Sequence, residues 1–486
     1  MPERIEALSE GQLVLTGGDS AVRVTAELAR AFVSGDQLLV AGETLLHVPA
    51  AEARIAEEAV SAAVDAFSSL ADCADEAITS FFIEFASKLA SSEVVDRVLK
   101  ANIADVADAN ARGRSTTRLE ITPKMIDDMV EGLKMWSEID MRRDETVDTI
   151  QHEGWSIDVR RAPVGVVGFV FEGRPNVFAD AAGVLKTGNT AVLRIGSDAL
   201  RTAQAMMEFA VTPALAASGL PATSIMLVES RAHAAGWALF NDPRLALAVA
   251  RGSGPAVDQL GAIARSVGTP VSLHGTGGAW MIVPSGADAT WVEPVIAASL
   301  DRKVCNTVNV CCVERTAAGE MLPVIVRAAS AAAVTRNATT VIRADDATIA
   351  QMPSGETFER VRFAPLPNDG LGYEYEWEND PEFAVVLVDS IDEAVSLCNE
   401  YSPHFVVSVL TKDSELIEKV YTSADAPFVG NGFTRWVDGQ YALGQPELGL
   451  SNWQGGRLLG RGGVLSGSSV HTLRLLAQFS DPMIRR

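Results

Sequence analysis

The stretch APVGVVGFVFEGRPNVFADAAGVLKTGNTAVLRIG, Ala162 to Gly196, decides the fold. Its two apolar runs, Val164 to Phe171 and Ala191 to Ile195, have the length of strands and lack the alternation of a half-exposed sheet, so they read as strands buried on both faces. A helix begins between them at Val177. Strand, turn, helix and strand make the repeating unit of a parallel sheet, whose ligand-binding loops lie at the carboxyl ends of the strands. The loop in question carries Glu172, Arg174 and Asn176. Read locally, Asn176 is either a helix cap or a functional amide.

Outward from this segment the same texture repeats. Apolar runs at Ile225 to Val228 and Leu245 to Val249 alternate with Ala-rich helices, which argues for a doubly wound parallel sheet. A second set begins at Trp280 to Val283 and continues through Glu382 to Val388 and Phe405 to Leu410, with a glycine-dense boundary at Gly275 to Gly278. From Ala50 to about Gly132 the pattern is helical throughout, whereas residues 1–49 alternate short apolar runs with turns and read as a small β-rich extension.

Composition narrows the function. The 486 residues carry 40 Lys and Arg against 63 Asp and Glu, a net charge of −23, and no long basic run. Such a chain is repelled by nucleic acid and by anionic membranes, so anion recognition must be local. No stretch approaches 18 consecutive apolar residues and the first thirty residues resemble no secretory signal, which leads to the expectation of a cytoplasmic protein. Five cysteines, without CxxC spacing, indicate neither a disulfide framework nor a zinc site.

Three further segments carry chemistry. Arg194 closes a strand and Ser197 stands at the following turn, where a cation meets a ribose or phosphate oxygen, or else lies solvated at a sheet edge. Arg251-Gly252-Ser253-Gly254-Pro255 follows an apolar run and opens a helix, in the manner of a dinucleotide turn but without full GxGxxG spacing. Arg302-Lys303-Val304-Cys305-Asn306-Thr307 places two cations just before a cysteine, surroundings that favour a thiolate, while Cys311 and Cys312 sit in an apolar run and read as core.

Together with ANIADVADANARG (Ala101 to Gly113), ITPKMI (Ile121 to Ile126), VDSIDEAV (Val388 to Val395) and GNGFTRWVDG (Gly430 to Gly439), these segments make the chain resemble the glutamate-5-semialdehyde dehydrogenases, or γ-glutamyl phosphate reductases, of the aldehyde dehydrogenase superfamily. The resemblance runs from about Ala50 to Phe479. It implies an α/β, aldehyde dehydrogenase-like fold of two doubly wound domains, one binding cofactor and one catalytic, plus an oligomerisation strand. Residues 50–275 would hold the helical segment and the NADP-binding domain, 276–425 the catalytic cysteine domain, and 426–486 the return to the cofactor and oligomerisation region. The implied reaction is NADPH-dependent reduction of L-glutamyl 5-phosphate to L-glutamate 5-semialdehyde and phosphate, in proline biosynthesis.

By the same resemblance Cys305 is the nucleophile that forms a thioester, and the Asn176 amide stabilises the oxyanion. Lys186, Arg194, Ser197, Gly252, Ser253 and Glu378 would bind NADP(H), the last by a loose alignment. Arg174, Arg435, Asp438 and Ser451 would meet the substrate, although Arg435 and Asp438 could instead pair with each other. His404 reads as a structural histidine. No metal is implied. A homo-oligomer formed by exchange of the C-terminal strand Val470 to Phe479 is implied, as is a functional partnership with glutamate 5-kinase. Acid-forming aldehyde dehydrogenases keep a water-activating glutamate where this chain reads Leu273-His274-Gly275-Thr276-Gly277-Gly278, and none occurs here. The chain departs from family motifs at Glu172-Gly173-Arg174-Pro175, at Asn306 to Asn309, at His404-Phe405-Val406 and at Leu459 to Gly463. Two other readings therefore stand beside the first: a paralogue acting on another acyl phosphate or acyl thioester, and a non-catalytic assembly module.

Overall fold

The structure, a computed structural model, describes residues 5–484 apart from 115, 117–118, 174–175, 354–357, 359, 438–441, 448–452, 455–456 and 459–464. It divides into two units, residues 1–275 with 444–449 and 464–486, and residues 276–443 with 450–463. The main cut falls between Gly275 and Thr276, and 426–443 stay with the second unit instead of returning to the first.

The first unit is built on five parallel strands, β1 (Val166–Phe171), β2 (Thr190–Ile195), β3 (Ile225–Leu227), β4 (Leu245–Arg251) and β5 (Val271–His274), in the order β5-β4-β1-β2-β3. Every residue of β1 and β2 is buried, because helices cover both faces. Alternate side chains serve opposite cores, as the two-residue strand period requires. Val167, Phe169 and Phe171 join Phe81, Phe82, Phe85 and Trp136 from the helices Asp75–Leu89 and Pro123–Glu138. Val166 and Val170 join Val60, Leu239 and Ile263 from the helices Ala50–Leu70, His233–Phe240 and Gly254–Ser266.

The amino-terminal residues do not form a separate module as a whole. The hairpin Gln37–Ala41/Thr44–Val48 buries Leu46 and Val48 in the second of those cores, and only Leu8, Val24 and Phe32 gather in a small cluster of their own. The C-terminal strand His471–Phe479 pairs antiparallel with Trp155–Pro163 of its own chain, which pairs in turn with Thr146–His152. Sequence reading missed this three-stranded sheet's hairpin: Thr146–His152 is exposed throughout, Trp155–Pro163 is mostly half-buried, and Val147, Ile150, Leu473, Leu475 and Phe479 lie exposed.

The second unit holds seven parallel strands, β6 (Ala279–Val283), β7 (Val308–Glu314), β8 (Thr340–Ala344), β9 (Val361–Pro365), β10 (Glu382–Val388), β11 (Val406–Val409) and β12 (Phe428–Gly430), in the order β9-β8-β10-β7-β6-β11-β12. The helical stretch Arg315–Arg336 is long and apolar enough to cross a membrane, but Met321, Leu322, Ile325 and Ala329 are buried in this unit's core.

Asn189 ties the amino edge of the first sheet together. It is fully buried; its Oδ1 accepts from the Val164 N–H at 2.7 Å and the Gly165 N–H at 3.0 Å, and its Nδ2 donates to the Val470 carbonyl at 2.7 Å. Asn189→Ala leaves two donors and one acceptor unpaired, and unfolding in urea should show a loss of at least about 2 kcal/mol.

Candidate active site

In the first unit the winding direction reverses between β1 and β4, since β2 and β3 lie on one side of β1 and β4 and β5 on the other. Loops diverge at such a point and leave a crevice at the carboxyl ends of the strands. The Glu172 N–H donates to the Arg251 carbonyl at 3.0 Å, joining the loops after β1 and β4. Gly196, just past β2, must be glycine: a Cβ there would stand 2.6 Å from the Gly173 nitrogen. Ser253 precedes the 13-residue helix Gly254–Ser266 without using its hydroxyl as a cap, so this amino end, with its N–H groups and positive dipole, suits a phosphate.

Arg194 lies at the carboxyl end of β2 but is not a solvated edge residue. It is 4% exposed, its Nη2 donates to the carbonyls of Arg231 at 3.4 Å and Ala232 at 3.1 Å, and its Nε has no partner. Beside it, Asp198 forms ion pairs with Arg112 at 2.9 Å and Arg114 at 2.7 Å. Burial, together with the positive charges of Arg194 and Arg114, holds the His233 imidazole below its ordinary pKa, so the first turn of that helix adds no competing cation near neutral pH. The two arginines end the ANIADVADANARGR segment, far from β2 in sequence, and no local signal joined them to Asp198.

Asn176 precedes the helix Val177–Ala182, yet its side chain makes no cap hydrogen bond and its buried Oδ1 has no partner. The local alternative of a helix cap is thereby removed. Lys186, expected among the cofactor ligands, lies elsewhere. It precedes β2, at the amino end of a strand about 20 Å long, whereas Arg194 and Ser197 lie at the carboxyl end. It lines a cavity of about 1260 Å³ together with Asp75, Asp140, Arg142, Arg160 and Arg474, and burial lowers its pKa against the opposing effect of Asp75 and Asp140.

In the second unit Cys305 sits in the turn before β7, at the amino edge of the sheet. Cys311 and Cys312 are fully buried, and burial pushes the Cys311 thiol up to about 12; Cys305 is only partly buried. The turn is stitched locally: Thr307 Oγ1 accepts from the Val304 N–H at 2.9 Å and donates to the Arg302 carbonyl at 2.7 Å. The Gly278 N–H donates to the Cys305 carbonyl at 2.7 Å. A Cβ on Gly277 would lie 2.4 Å from that carbonyl oxygen and 2.8 Å from the cysteine Cβ, so backbone passes directly against the Cys305 turn. Asn306, next in sequence, is fully buried with neither end of its amide hydrogen-bonded.

Sequence reading missed Glu374. Its Oε2 accepts from the Gly277 N–H at 2.7 Å and its Oε1 from Lys303 Nζ at 2.6 Å. Lys303 is therefore not a free cation favouring a thiolate, because its charge is matched by Glu374. Glu378, the loosely aligned cofactor ligand, is exposed, and its carbonyl accepts from Arg336 at 2.9 Å. Arg435 forms an ion pair with Asp301 in the segment leading to Cys305. His404 adopts a left-handed φ of 53° and contacts the Asp425 carbonyl at 2.9 Å through Nδ1, a structural arrangement. Arg174, Asp438, Ser451 and the Leu459 to Gly463 motif lie outside the described residues.

Comparison with known proteins agrees with this chemistry. Residues 39–350 match the Aldehyde dehydrogenase family, so the match begins inside the hairpin 37–48 and not at Ala50. A γ-glutamyl phosphate reductase from a Methylobacterium species is 31% identical over 378 residues, 76% of this chain and 82% of that protein. Another from Halothermothrix orenii is 30% identical over 366 residues, 73% of this chain and 82% of that protein. The solved γ-glutamyl phosphate reductase of Thermotoga maritima superposes with a TM-score of 0.76 at 26% identity, covering 89% of this chain and 100% of that one. The buried-strand units, the cysteine turn and these likenesses agree: the chain belongs to the aldehyde dehydrogenase family, in its γ-glutamyl phosphate reductase group.

Proposed function

We infer that this protein catalyses the NADPH-dependent reduction of L-glutamyl 5-phosphate to L-glutamate 5-semialdehyde and phosphate, a step of proline biosynthesis. The observation that carries the chemistry is the turn of Cys305, the partly buried cysteine of its unit, held against a glycine backbone. The Cys305 sulfur attacks the acyl carbon and expels phosphate, leaving a thioester, while the Asn176 amide and the Cys305 N–H stabilise the oxyanion. The dinucleotide, when bound, supplies the hydride that reduces this thioester. Collapse of the thiohemiacetal on sulfur releases the aldehyde and returns the thiolate.

The surroundings favour phosphate over water as the acyl partner. The Gly275 to Gly278 segment carries no acid that could activate water, and a Cβ at Gly275 would lie a tight 3.0 Å from Gly254 Cα. Glu374, the acid at the cysteine turn, is committed to two hydrogen bonds and is no general base.

The residues at the carboxyl edge of the first sheet fit a dinucleotide. Ser253 and the helix it opens would hold phosphate, and Arg194 and Ser197 the adenosine ribose. NADP(H) is favoured over NAD(H) because Arg112 and Arg114 outnumber the carboxylate they share, Asp198, and can meet a 2′-phosphate. Arg174, Arg435, Asp438 and Ser451 are the proposed contacts to the glutamyl end. A cytoplasmic homo-oligomer suits the exposed apolar residues of the sheet Thr146–His152, Trp155–Pro163 and His471–Phe479, and glutamate 5-kinase is the functional partner that would supply the acyl phosphate.

Phosphate-dependent reduction of NADP+ with L-glutamate 5-semialdehyde tests the reading: the parent should turn over and Cys305→Ala should not. Turnover of short aliphatic aldehydes without this one would instead favour the paralogue, and full activity in Cys305→Ala would refute the mechanism. Gly277→Ala displaces the cysteine turn, and kcat should fall about a hundredfold while NADPH still quenches tryptophan fluorescence with parental affinity. Arg114→Ala should raise the KM for NADP+ roughly tenfold and leave that for NAD+ little changed.

A further inference from the structure

Glu374 is reached from three directions. Asn309, on β7, accepts from the Tyr375 N–H at 2.9 Å and donates to the Tyr373 carbonyl at 2.8 Å, so both neighbours of Glu374 are pinned to the strand that follows the cysteine. The carboxylate then spans the Gly277 N–H on one side of the Cys305 turn and the Lys303 ammonium on the other. The Lys303 side chain is 5% exposed and that of Glu374 15%, so each charge depends on the other for compensation. Other charged groups near the turn are the exposed Arg302, and Asp301, whose side chain pairs with Arg435 and whose carbonyl accepts from Arg336.

We propose that Glu374 and Lys303 are a positioning pair that fixes the turn carrying Cys305 and balances the charge beside its thiol. The proposal rests on Cys305 being the nucleophile. Neither residue touches the reacting atoms. Glu374 holds the Gly277 amide, which lies against Cys305, and Lys303 cancels a carboxylate that would otherwise oppose a thiolate two residues away.

The two halves of the pair act on the thiol with opposite sign, and that distinguishes them from scaffolding. Iodoacetamide alkylation of Cys305 in the full-length protein, followed by peptide mass spectrometry across pH, reads the thiol without substrate or cofactor. Lys303→Met leaves Glu374 uncompensated and should move the alkylation midpoint up by about half a unit or more, whereas Glu374→Gln leaves Lys303 uncompensated and should move it down by a similar amount. The double variant should return it towards the parent, and Lys303→Arg should restore both midpoint and turnover. Thermal melts establish that each variant is folded; where a single variant is not, the double variant and Lys303→Arg carry the comparison. Midpoints that stay put, or move in the same direction in both single variants, overturn the proposal, as does a double variant no closer to the parent than either single one. Opposite shifts in a parent that fails to turn over glutamate 5-semialdehyde would sink the assigned reaction and leave the pair standing.

Discussion

Backbone laid directly against backbone beside Cys305 is the constraint on which the site depends. Gly277 approaches the cysteine turn so closely that a single added carbon would overlap its carbonyl. The contact lets the Gly278 N–H reach the Cys305 carbonyl and lets the Gly277 N–H turn towards Glu374. The first unit repeats the device at its strand ends, where Gly196 meets Gly173 and Gly275 meets Gly254. Each contact removes a side chain from a place where a ligand, or a loop that carries one, has to sit. At Gly275, where a Cβ would lie 3.0 Å from Gly254 Cα, the chain carries no side chain at all.

Electrostatics follow the same economy. The chain carries a net charge of −23, yet the groups suited to its anionic ligands are few and local. Arg112 and Arg114 share Asp198, and Arg194 is buried against backbone carbonyls. Arg194, withdrawn from water, acts more strongly than the same charge in solvent, and the exposed Arg112 and Arg114 stand beside it within an acidic surface that serves solubility. Near the cysteine two cations are matched by acids: Lys303 to Glu374 and Arg435 to Asp301.

Much of this could be read along the chain. Continuous apolar runs marked the buried parallel strands, and strand β10 falls on the residues their texture indicated. Strands β8, β9 and β12 escaped notice because they are short, lie away from the sheet's centre and, in the first two, carry Arg343 and Arg362 among their apolar residues. The hairpin Thr146–His152/Trp155–Pro163 escaped for another reason: its first strand is exposed throughout and its second is half-buried, so neither carries a continuous apolar run.

Local order in the sequence determined where the long apolar strands run, which cysteine has polar neighbours, and that the Gly275 to Gly278 segment has no acid. Only the tertiary structure decided which charges meet. Glu374 rather than Glu378 reaches the cysteine turn, Arg114 crosses 84 positions to Asp198, and Lys186 lies at the far end of the strand from Arg194. These outcomes depend on strand order, register and the direction in which each strand runs. Such properties belong to long-range pairing, and no run of neighbouring residues encodes them.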